Sequence, residues 1–163
     1  MTVTRHKDFK ALVRARMRET AESFTAARAA LRANPPTAPT LRADAVREQR
    51  LLVDRWFAAG RLRAIPARRK VRAAILLEVV ARFAPGRYYS EYEVNHLLRA
   101  VHPDVAYLRR ELISLGYLCR RDGRYWVCRT PPLRTDRERR ELPAWEGIWL
   151  PGFTARAITG QGR

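Results

Sequence analysis

The sequence predicts a mainly α-helical protein with a small β-hairpin, arranged as a winged helix-turn-helix with an N-terminal helical arm. Apolar residues recur at helical spacing, so we expect helices near 7–32, 43–59, 68–84, 91–100 and 104–115. A break at His102-Pro103-Asp104 separates the last two helices. Asp122-Gly123 lies between two short apolar runs and is typical of a two-residue hairpin turn, which predicts a hairpin over 117–128.

The ends of the last two helices have local causes. Ser90 and Glu93 have capping-box spacing, which predicts that a helix begins there. Pro103 lacks a backbone N–H and disfavours helical geometry in the residue before it, so the first helix ends ahead of it. Asp104 is then placed to cap the next helix, and Gly116 to end it.

We expect four parts along the chain. Residues 1–33 form a basic helical arm, with a kink and restart near Thr20 or Ser23. Residues 34–42 hold three prolines within five positions, which favours an extended linker. Residues 43–129 form the winged-helix-like domain, and residues 130–163 are expected to be an irregular tail, rich in Pro, Gly and mixed charge.

Charge is the most unusual bulk property. Lys and Arg number 33 against 16 acidic residues, giving a formal net charge of +17, and 30 of the 33 are Arg. Arginine presents a planar donor fork that suits phosphates and guanine edges. A GC-rich genome explains Arg in place of Lys but not the excess of bases over acids. The balance therefore favours a polyanionic partner.

The apolar segments of the chain indicate its cellular compartment, and its two cysteines indicate whether a disulfide is expected. No stretch is long and apolar enough to span a bilayer, and the N-terminus has no apolar signal segment, so we expect a cytoplasmic protein without a membrane partner. With the predicted turn, Cys119 faces Trp126 and Tyr117 faces Cys128. The two cysteines are then diagonal neighbours about 7 Å apart, farther than a disulfide allows. Free thiols are expected.

Four blocks carry a family resemblance: 60–70 (GRLRAIPARRK), 87–95 (RYYSEYEVN), 108–112 (LRREL) and 122–126 (DGRYW). In order and spacing they resemble the bacterial domain-of-unknown-function family numbered 2087, over about residues 56–128. The resemblance implies a winged-helix-like module often found in helix-turn-helix transcription regulators. It implies no enzyme activity and no established ligand. Here the Arg-rich arm stands where the usual partner domain would be.

Candidate nucleic-acid-binding residues follow from the second helix and the hairpin. In a helix-turn-helix the second helix lies in the major groove, and burial of Leu108 and Leu112 turns Tyr107 and Arg110 outward with Arg109 on the flank. We expect Arg110 to contact bases or phosphate and Arg109 to contact phosphate, unless either pairs with Glu93 or Glu111. The remaining candidates are basic residues of the hairpin and of the entry to the third helix: Arg120, Arg121, Arg124, Arg68, Arg69 and Lys70.

The remaining polar, metal-binding and aromatic residues give weaker indications of function. Asn95 is interpreted as a buried polar tie to the turn before the second helix rather than a base contact. His96, His102 and the two cysteines match no dependable metal-ligand spacing, so neither metal nor cofactor is expected. The aromatic residues are expected mainly in the core or the hairpin, although some could stack single-stranded bases. No phosphate loop or nucleophile motif is present, and we expect no enzyme.

Two classes of function therefore remain. The first is a DNA-binding transcriptional regulator that uses the winged helix on double-stranded DNA. The second is a protein associated with RNA or the ribosome, or an interaction adaptor, without sequence-specific DNA reading. The absence of a recurring aromatic RNA motif favours the first. A homodimer that pairs through residues 43–60 is compatible with either.

Overall fold

A computed structural model describes residues 3–35 and 37–159, with side chains for 9–35 and 37–157. The chain divides into two compact units, residues 1–43 and 44–163. The predicted winged-helix-like domain, residues 43–129, falls within the second unit except for its first residue. Each unit is described by itself below.

The first unit contains a helical hairpin, α1 (Val3–Thr20) and α2 (Phe24–Ala33). Ala21 adopts a left-handed conformation with φ of 57°, and the Ser23 hydroxyl accepts from Ala26 N to cap α2. The single kinked arm helix expected from the sequence is therefore two helices, and the restart is at Ser23. Its small core consists of Val13, Ala27 and Leu31, with Phe9, Leu12 and Met17 packed against them.

α3 spans Ala38–Trp56 and corrects the expected linker. Residues 38–42 are helical rather than extended, so the predicted linker is wrong over these five residues. Pro39 is tolerated because it lies in the first helical turn, where a backbone N–H has no partner within the helix. The Leu41 amide still donates to Thr37 O at 3.0 Å, which closes the first turn.

The second unit continues with a two-stranded antiparallel ribbon, β1 (Phe57–Ala58) and β2 (Arg61–Leu62). Ala59 and Gly60 between them both have positive φ, of 48° and 77°, as a tight hairpin turn requires. α4 (Arg69–Val80) follows, and seven of its twelve residues are buried.

The next five elements form the centre of the unit: β3 (Tyr89–Ser90), α5 (Glu91–Arg99), α6 (Val105–Ser114), β4 (Leu118–Arg121) and β5 (Arg124–Val127). The strands form an antiparallel sheet in the order β3-β5-β4. Arg121 faces Arg124 and Cys119 faces Trp126, as predicted. A mainly helical fold with a small β-hairpin is confirmed.

The predicted ends of the last two helices are also confirmed, whereas α3 and α4 end at Trp56 and Val80, before the predicted residues 59 and 84. Ser90 and Glu93 form a reciprocal capping box, and Asp104 Oδ1 accepts from Tyr107 N at 3.0 Å. The turn residues Asp122 and Gly123 have φ of 49° and 73°, and Gly116 ends α6 with φ of 71°. These features depend on neighbours within a few residues, which is why the sequence predicts them well.

One apolar core joins α4, α5, α6 and the three-stranded sheet. α6 contributes Leu108 and Leu112, which are 1% and 0% exposed. The same core includes six residues of α4: Ala73, Ile75, Leu76, Leu77, Val79 and Val80. Because the core holds α6 by one face only, the opposite face is left outside.

The C-terminal segment is not the expected irregular tail. It forms α7 (Asp136–Glu141) and α8 (Ala144–Thr159). Thr135 and Glu138 form a second capping box that begins α7, and the apolar side of α8 enters the core through Leu150 and Phe153. The Thr-x-x-Glu spacing is a sequence signal from which the start of α7 could have been predicted. The packing of α8 could not have been predicted in this way, because it depends on distant residues.

The hairpin contains a disulfide between Cys119 and Cys128, which corrects the expectation of free thiols. The strand register is as predicted, but the two Cα atoms are only 5.3 Å apart. Pairing of β4 with β5 ends at Leu118 and Val127, so Cys128 lies just beyond the ladder. The prediction used the average diagonal spacing of a regular sheet, and this pair lies closer than that average.

Candidate nucleic-acid interface

The outward face of α6 includes Arg110, as the sequence predicted. Ala106, Arg110 and Ser114 are exposed, one helical turn apart, and Tyr107 beside them is half-buried. Small residues on either side of Arg110 leave its side chain unobstructed along the helix. No hydrogen bond or ion pair of Arg110 occurs among the described residues.

Arg109 occupies a different environment from its neighbour. Its Nη1 donates to Glu91 Oε1 at 2.8 Å and to Asn95 Oδ1 at 2.6 Å, and its side chain is only 20% exposed. The predicted pairing partners, Glu93 and Glu111, are not those observed. Asn95 likewise contacts α6 itself rather than the turn before it, which corrects that prediction.

A second ion pair holds the other flank of α6. Arg72 of α4 donates from Nε to Glu111 Oε2 at 2.8 Å, with both side chains mostly buried. Its Nη1 also donates to the carbonyls of Pro66 and Ala67 at 3.1 and 2.9 Å. Arg72 thus fixes α6 to α4, and Arg109 fixes α6 to α5. These two ion pairs set the orientation of the exposed face of α6.

The hairpin carries three exposed arginines with different surroundings. Arg120 lies 3.7 Å from Glu91 Oε2 and its guanidinium is 5.3 Å from the centre of the Tyr125 ring. Arg121 is 81% exposed, and its closest acid is the adjacent Asp122 at 3.5 Å. Arg124, opposite Arg121 in the ladder, is exposed and has no ion pair within the described part of the chain.

The basic entry to α4 is partly neutralised. Arg69 lies 3.1 Å from Glu141 of α7, and Lys70 lies 3.4 Å from Glu48 of α3. Arg68 is exposed at the N-cap position and its side chain caps nothing. All three side chains are at the surface, but only Arg68 has its charge uncompensated by a described carboxylate.

Glu91 is the residue that sequence reasoning missed. Its carboxylate accepts hydrogen bonds from Arg109 and from the Tyr125 hydroxyl, the latter at 3.1 Å. It also lies 3.7 Å from Arg120. Burial, followed by this hydrogen bond, raises the pKa of Tyr125 above its ordinary value. The carboxylate therefore ties α5, α6 and β5 together. Its position in the first turn of α5 was the available signal, since acids favour helix N-termini.

The aromatic residues divide between the core and the surface. Tyr89, Tyr117 and Tyr125 are buried, as predicted for most of them. Tyr88 is 47% exposed and forms an edge-to-face pair with Trp126 of the hairpin, with ring centres 5.4 Å apart. This pair places an exposed aromatic surface on the same sheet as the hairpin arginines.

The cysteines and histidines of the sequence do not form a joint metal site. The cysteines are bonded to each other, so neither offers a thiolate, and His102 Nδ1 accepts from the Asp104 amide at 3.0 Å. Within residues 9–35 and 37–157 no group of three or more His, Cys, Asp or Glu side chains is placed to hold a metal ion. No helix among those described has the length and apolar character to cross a bilayer.

Comparison with known proteins identifies one segment. Residues 61–127 match a family model described as an uncharacterized protein conserved in bacteria, DUF2087. No curated protein and no solved structure matches the chain. The matched segment begins at β2 and ends at β5, so it contains α4, α5, α6 and the hairpin. Residues 61–127 of this chain therefore form a domain of the bacterial DUF2087 family, as the sequence resemblance predicted.

Proposed function

We propose that the DUF2087 domain of this protein is a winged helix-turn-helix that binds double-stranded DNA, and that the protein is a transcriptional regulator. One observation carries the proposal. The exposed face of α6, with its unpaired Arg110, belongs to the same domain as a hairpin whose Arg121 and Arg124 are exposed. A groove-reading helix and a phosphate-contacting wing need this combination.

The order of elements supports the proposal. A helix, a short strand, two helices and a two-stranded hairpin follow one another from α4 to β5, and the short strand β3 pairs with β5. In that arrangement α6 is the second helix of the helix-turn-helix and takes the recognition role. The hairpin takes the role of the wing.

The charges divide into structural and available ones. Arg72 and Arg109 are committed to carboxylates that fix α6, so we assign them to positioning. Arg68, Arg110, Arg121 and Arg124 are exposed and are assigned to DNA. Arg69, Lys70 and Arg120 are paired but half-exposed, and can exchange a surface carboxylate for a phosphate at little cost. Tyr107 flanks the reading face.

The test is in-vitro selection from random duplexes, followed by affinities of variants on the selected and scrambled sites. An arginine–guanine pair is worth roughly 1–3 kcal/mol of discrimination, so Arg110→Ala should relax the preference at one position. Arg121→Ala and Arg124→Ala should weaken all sequences about equally. Arg140→Ala removes the same charge from an exposed position of α7 and is the matched control.

Two outcomes would contradict the proposal. If the wild-type protein enriches no motif, sequence-specific regulation is ruled out. If a motif appears and Arg110→Ala prefers it over scrambled sites as strongly as wild type does, α6 is not the recognition helix. A loss of affinity in Arg140→Ala as large as that in Arg121→Ala would indicate binding through net charge alone.

The alternative is an RNA- or ribosome-associated role, and the exposed Tyr88–Trp126 pair favours it. Aromatic side chains beside arginines stack unpaired bases, at roughly 1–3 kcal/mol per base. The same titrations with single-stranded RNA, for wild type and Tyr88→Ala, discriminate between the two roles. Preference for RNA that is lost in Tyr88→Ala would replace the DNA proposal.

Self-association is part of the proposal. Val46 and Leu51 of α3 are exposed apolar residues, at 42% and 64%, within the stretch that the sequence suggested for pairing. A homodimer would present two α6 helices to two half-sites. Sedimentation equilibrium of wild type and Leu51→Glu tests this: a monomer in both excludes pairing through α3. The proposed role requires no cofactor or catalytic residue and places the protein with bacterial DNA in the cytoplasm.

A further inference from the structure

A cavity of about 370 Å³ lies between the segment that follows β5, the end of α7 and the start of α8. Its walls are mainly apolar, and the side chains that define it include Pro132, Leu142, Pro143 and Leu150. Arg139 and Glu146 also line it. It lies wholly outside residues 61–127, so the DUF2087 domain does not account for it.

The cavity contains one buried charged side chain, Glu146, which is 7% exposed. Its Oε1 accepts from the Tyr117 hydroxyl at 2.8 Å and from Arg134 Nη2 at 2.7 Å. The bonds to Glu146 from the described residues all end on Oε1. Oε2 receives none of them and is not sealed away from solvent. Because Glu146 lines the cavity, Oε2 is the acceptor that remains for a molecule bound there.

We propose that this cavity binds a small, neutral, largely apolar molecule that donates one O–H or N–H hydrogen bond to Glu146 Oε2. The walls supply apolar contact, and the carboxylate supplies a strong, charge-assisted acceptor. Arg134 already balances the charge of Glu146. A cationic ligand would therefore be repelled by Arg134, and an anionic ligand would be repelled by Glu146. Phenols and indoles are the simplest molecules of the required class.

Glu146 is connected to the elements assigned to DNA. Arg134 Nη2 also donates to Leu115 O, the C-cap of α6, at 2.6 Å. Tyr117, the other partner of Glu146, lies directly before β4. Occupation of the cavity therefore acts on the short segment that joins α6 to the hairpin. We assign the ligand the role of an effector, and this role, unlike binding itself, rests on the proposed function.

The first experiment is an NMR titration of the ¹⁵N-labelled full chain with phenol, indole, anisole, N-methylindole and benzylamine. Anisole and N-methylindole retain the ring but lack the donor. We expect saturable shifts near residues 131–151 with phenol and indole, and at least tenfold weaker binding of the methylated pair. Tenfold corresponds to about 1.4 kcal/mol, at the lower edge of a charged hydrogen bond. Benzylammonium should bind more weakly than phenol.

A pair of glycine variants locates the site. Gly147 lines the cavity, whereas Gly152 of the same helix does not. A Cβ atom added at either glycine would have no other atom within 4 Å. Gly147→Leu should fill the cavity and weaken phenol binding at least tenfold while leaving Glu146 and Arg134 in place. Gly152→Leu should bind as wild type does. Both replacements favour helix, and circular dichroism checks that both fold.

The results decide the proposal without reference to DNA. Equal binding of phenol and anisole, tighter binding of benzylammonium, no saturable shifts, or unchanged binding in Gly147→Leu would each overturn it. Affinity for a selected duplex is then measured with and without phenol. A change in wild type that is absent in Gly147→Leu supports the effector role. No change overturns that role and leaves the binding site standing.

Discussion

Arg109 Nη1 lies 2.8 Å from Glu91 Oε1, whereas the next residue, Arg110, is exposed and unpaired within the described chain. Consecutive residues on a helix point about 100° apart, so one guanidinium fastens α6 to α5 while the other faces outward. The sequence distinguishes the two arginines only by the helix face on which each lies. In the structure one guanidinium is paired with a carboxylate and the other is exposed.

Replacing Arg109 tests its role in positioning. Arg109→Ala leaves Glu91 and Asn95 without their shared donor, and we expect a loss of roughly 1–2 kcal/mol in the free energy of unfolding, discounted because Glu91 is 45% exposed. Arg110→Ala should change it by less than about 0.5 kcal/mol. Urea denaturation measures both. Equal effects of the two variants would contradict the division of roles.

The core beneath α6 gives a second prediction. Leu112 is fully buried, so Leu112→Ala should cost roughly 2–5 kcal/mol, the transfer and cavity cost of a buried leucine. Ser114→Ala, on the exposed face of the same helix, is the control and should be near neutral. Thermal and urea unfolding measure both variants. A neutral Leu112→Ala would mean that the buried face of α6 is wrongly assigned.

The capping box of α5 gives a pH-dependent prediction. The Ser90 backbone N–H, followed by the Ser90 hydroxyl and Arg87, lowers the pKa of Glu93 below 4.5. Folding therefore favours the charged form, so the stabilisation is complete above pH 4.5 and disappears as the pH falls through the lowered value. Glu93→Gln keeps a capping side chain but does not titrate. Its melting temperature should fall below that of wild type at pH 6, and the difference should shrink on acidification toward pH 3.

The Glu93 comparison has an internal control. Glu138, whose pKa is lowered in the same way by Thr135, is present in both proteins and cancels from the difference. A difference in melting temperature that stays constant from pH 6 to pH 3 would show that the Glu93 charge does not stabilise α5.

The disulfide gives a fourth prediction. Cys119 and Cys128 are nine residues apart, and closing so short a loop constrains the unfolded chain by roughly 2–3 kcal/mol. Dithiothreitol should therefore lower the melting temperature of wild type. The doubly substituted Cys119→Ala, Cys128→Ala protein should melt at a lower temperature that dithiothreitol does not change. Insensitivity of wild type to the reductant, with its thiols shown to be reduced, would mean that the bond does not stabilise the hairpin.

The basic arm gives the fifth prediction. Arg14, Arg18, Arg28 and Arg32 are exposed on α1 and α2, and each phosphate contact contributes about −0.9 to the slope of log affinity against log salt. If the arm joins in DNA binding, replacing these four by Gln should flatten the slope while circular dichroism shows the helices retained. An unchanged slope would remove the arm from the interface.

The sequence by itself determined the elements whose causes are local. The capping box at Ser90, the Asp104 cap, the Asp122-Gly123 turn and the hairpin register each depend on residues a few positions apart. The outward face of α6 also follows from the sequence, because helical spacing alone separates Arg110 from Leu108 and Leu112. Family membership of residues 61–127 follows from short blocks in a fixed order.

Only the tertiary structure decided which groups meet across the chain. The pairing of Arg109 with Glu91, the approach of Cys128 to Cys119, and the docking of α8 through Leu150 and Phe153 involve contacts between separate elements. A side chain's partner depends on distances that packing and strand twist set together, and neither can be read from spacing. Glu146 shows this best, because its burial beside Arg134 and Tyr117 exists only once α8 has packed on the domain.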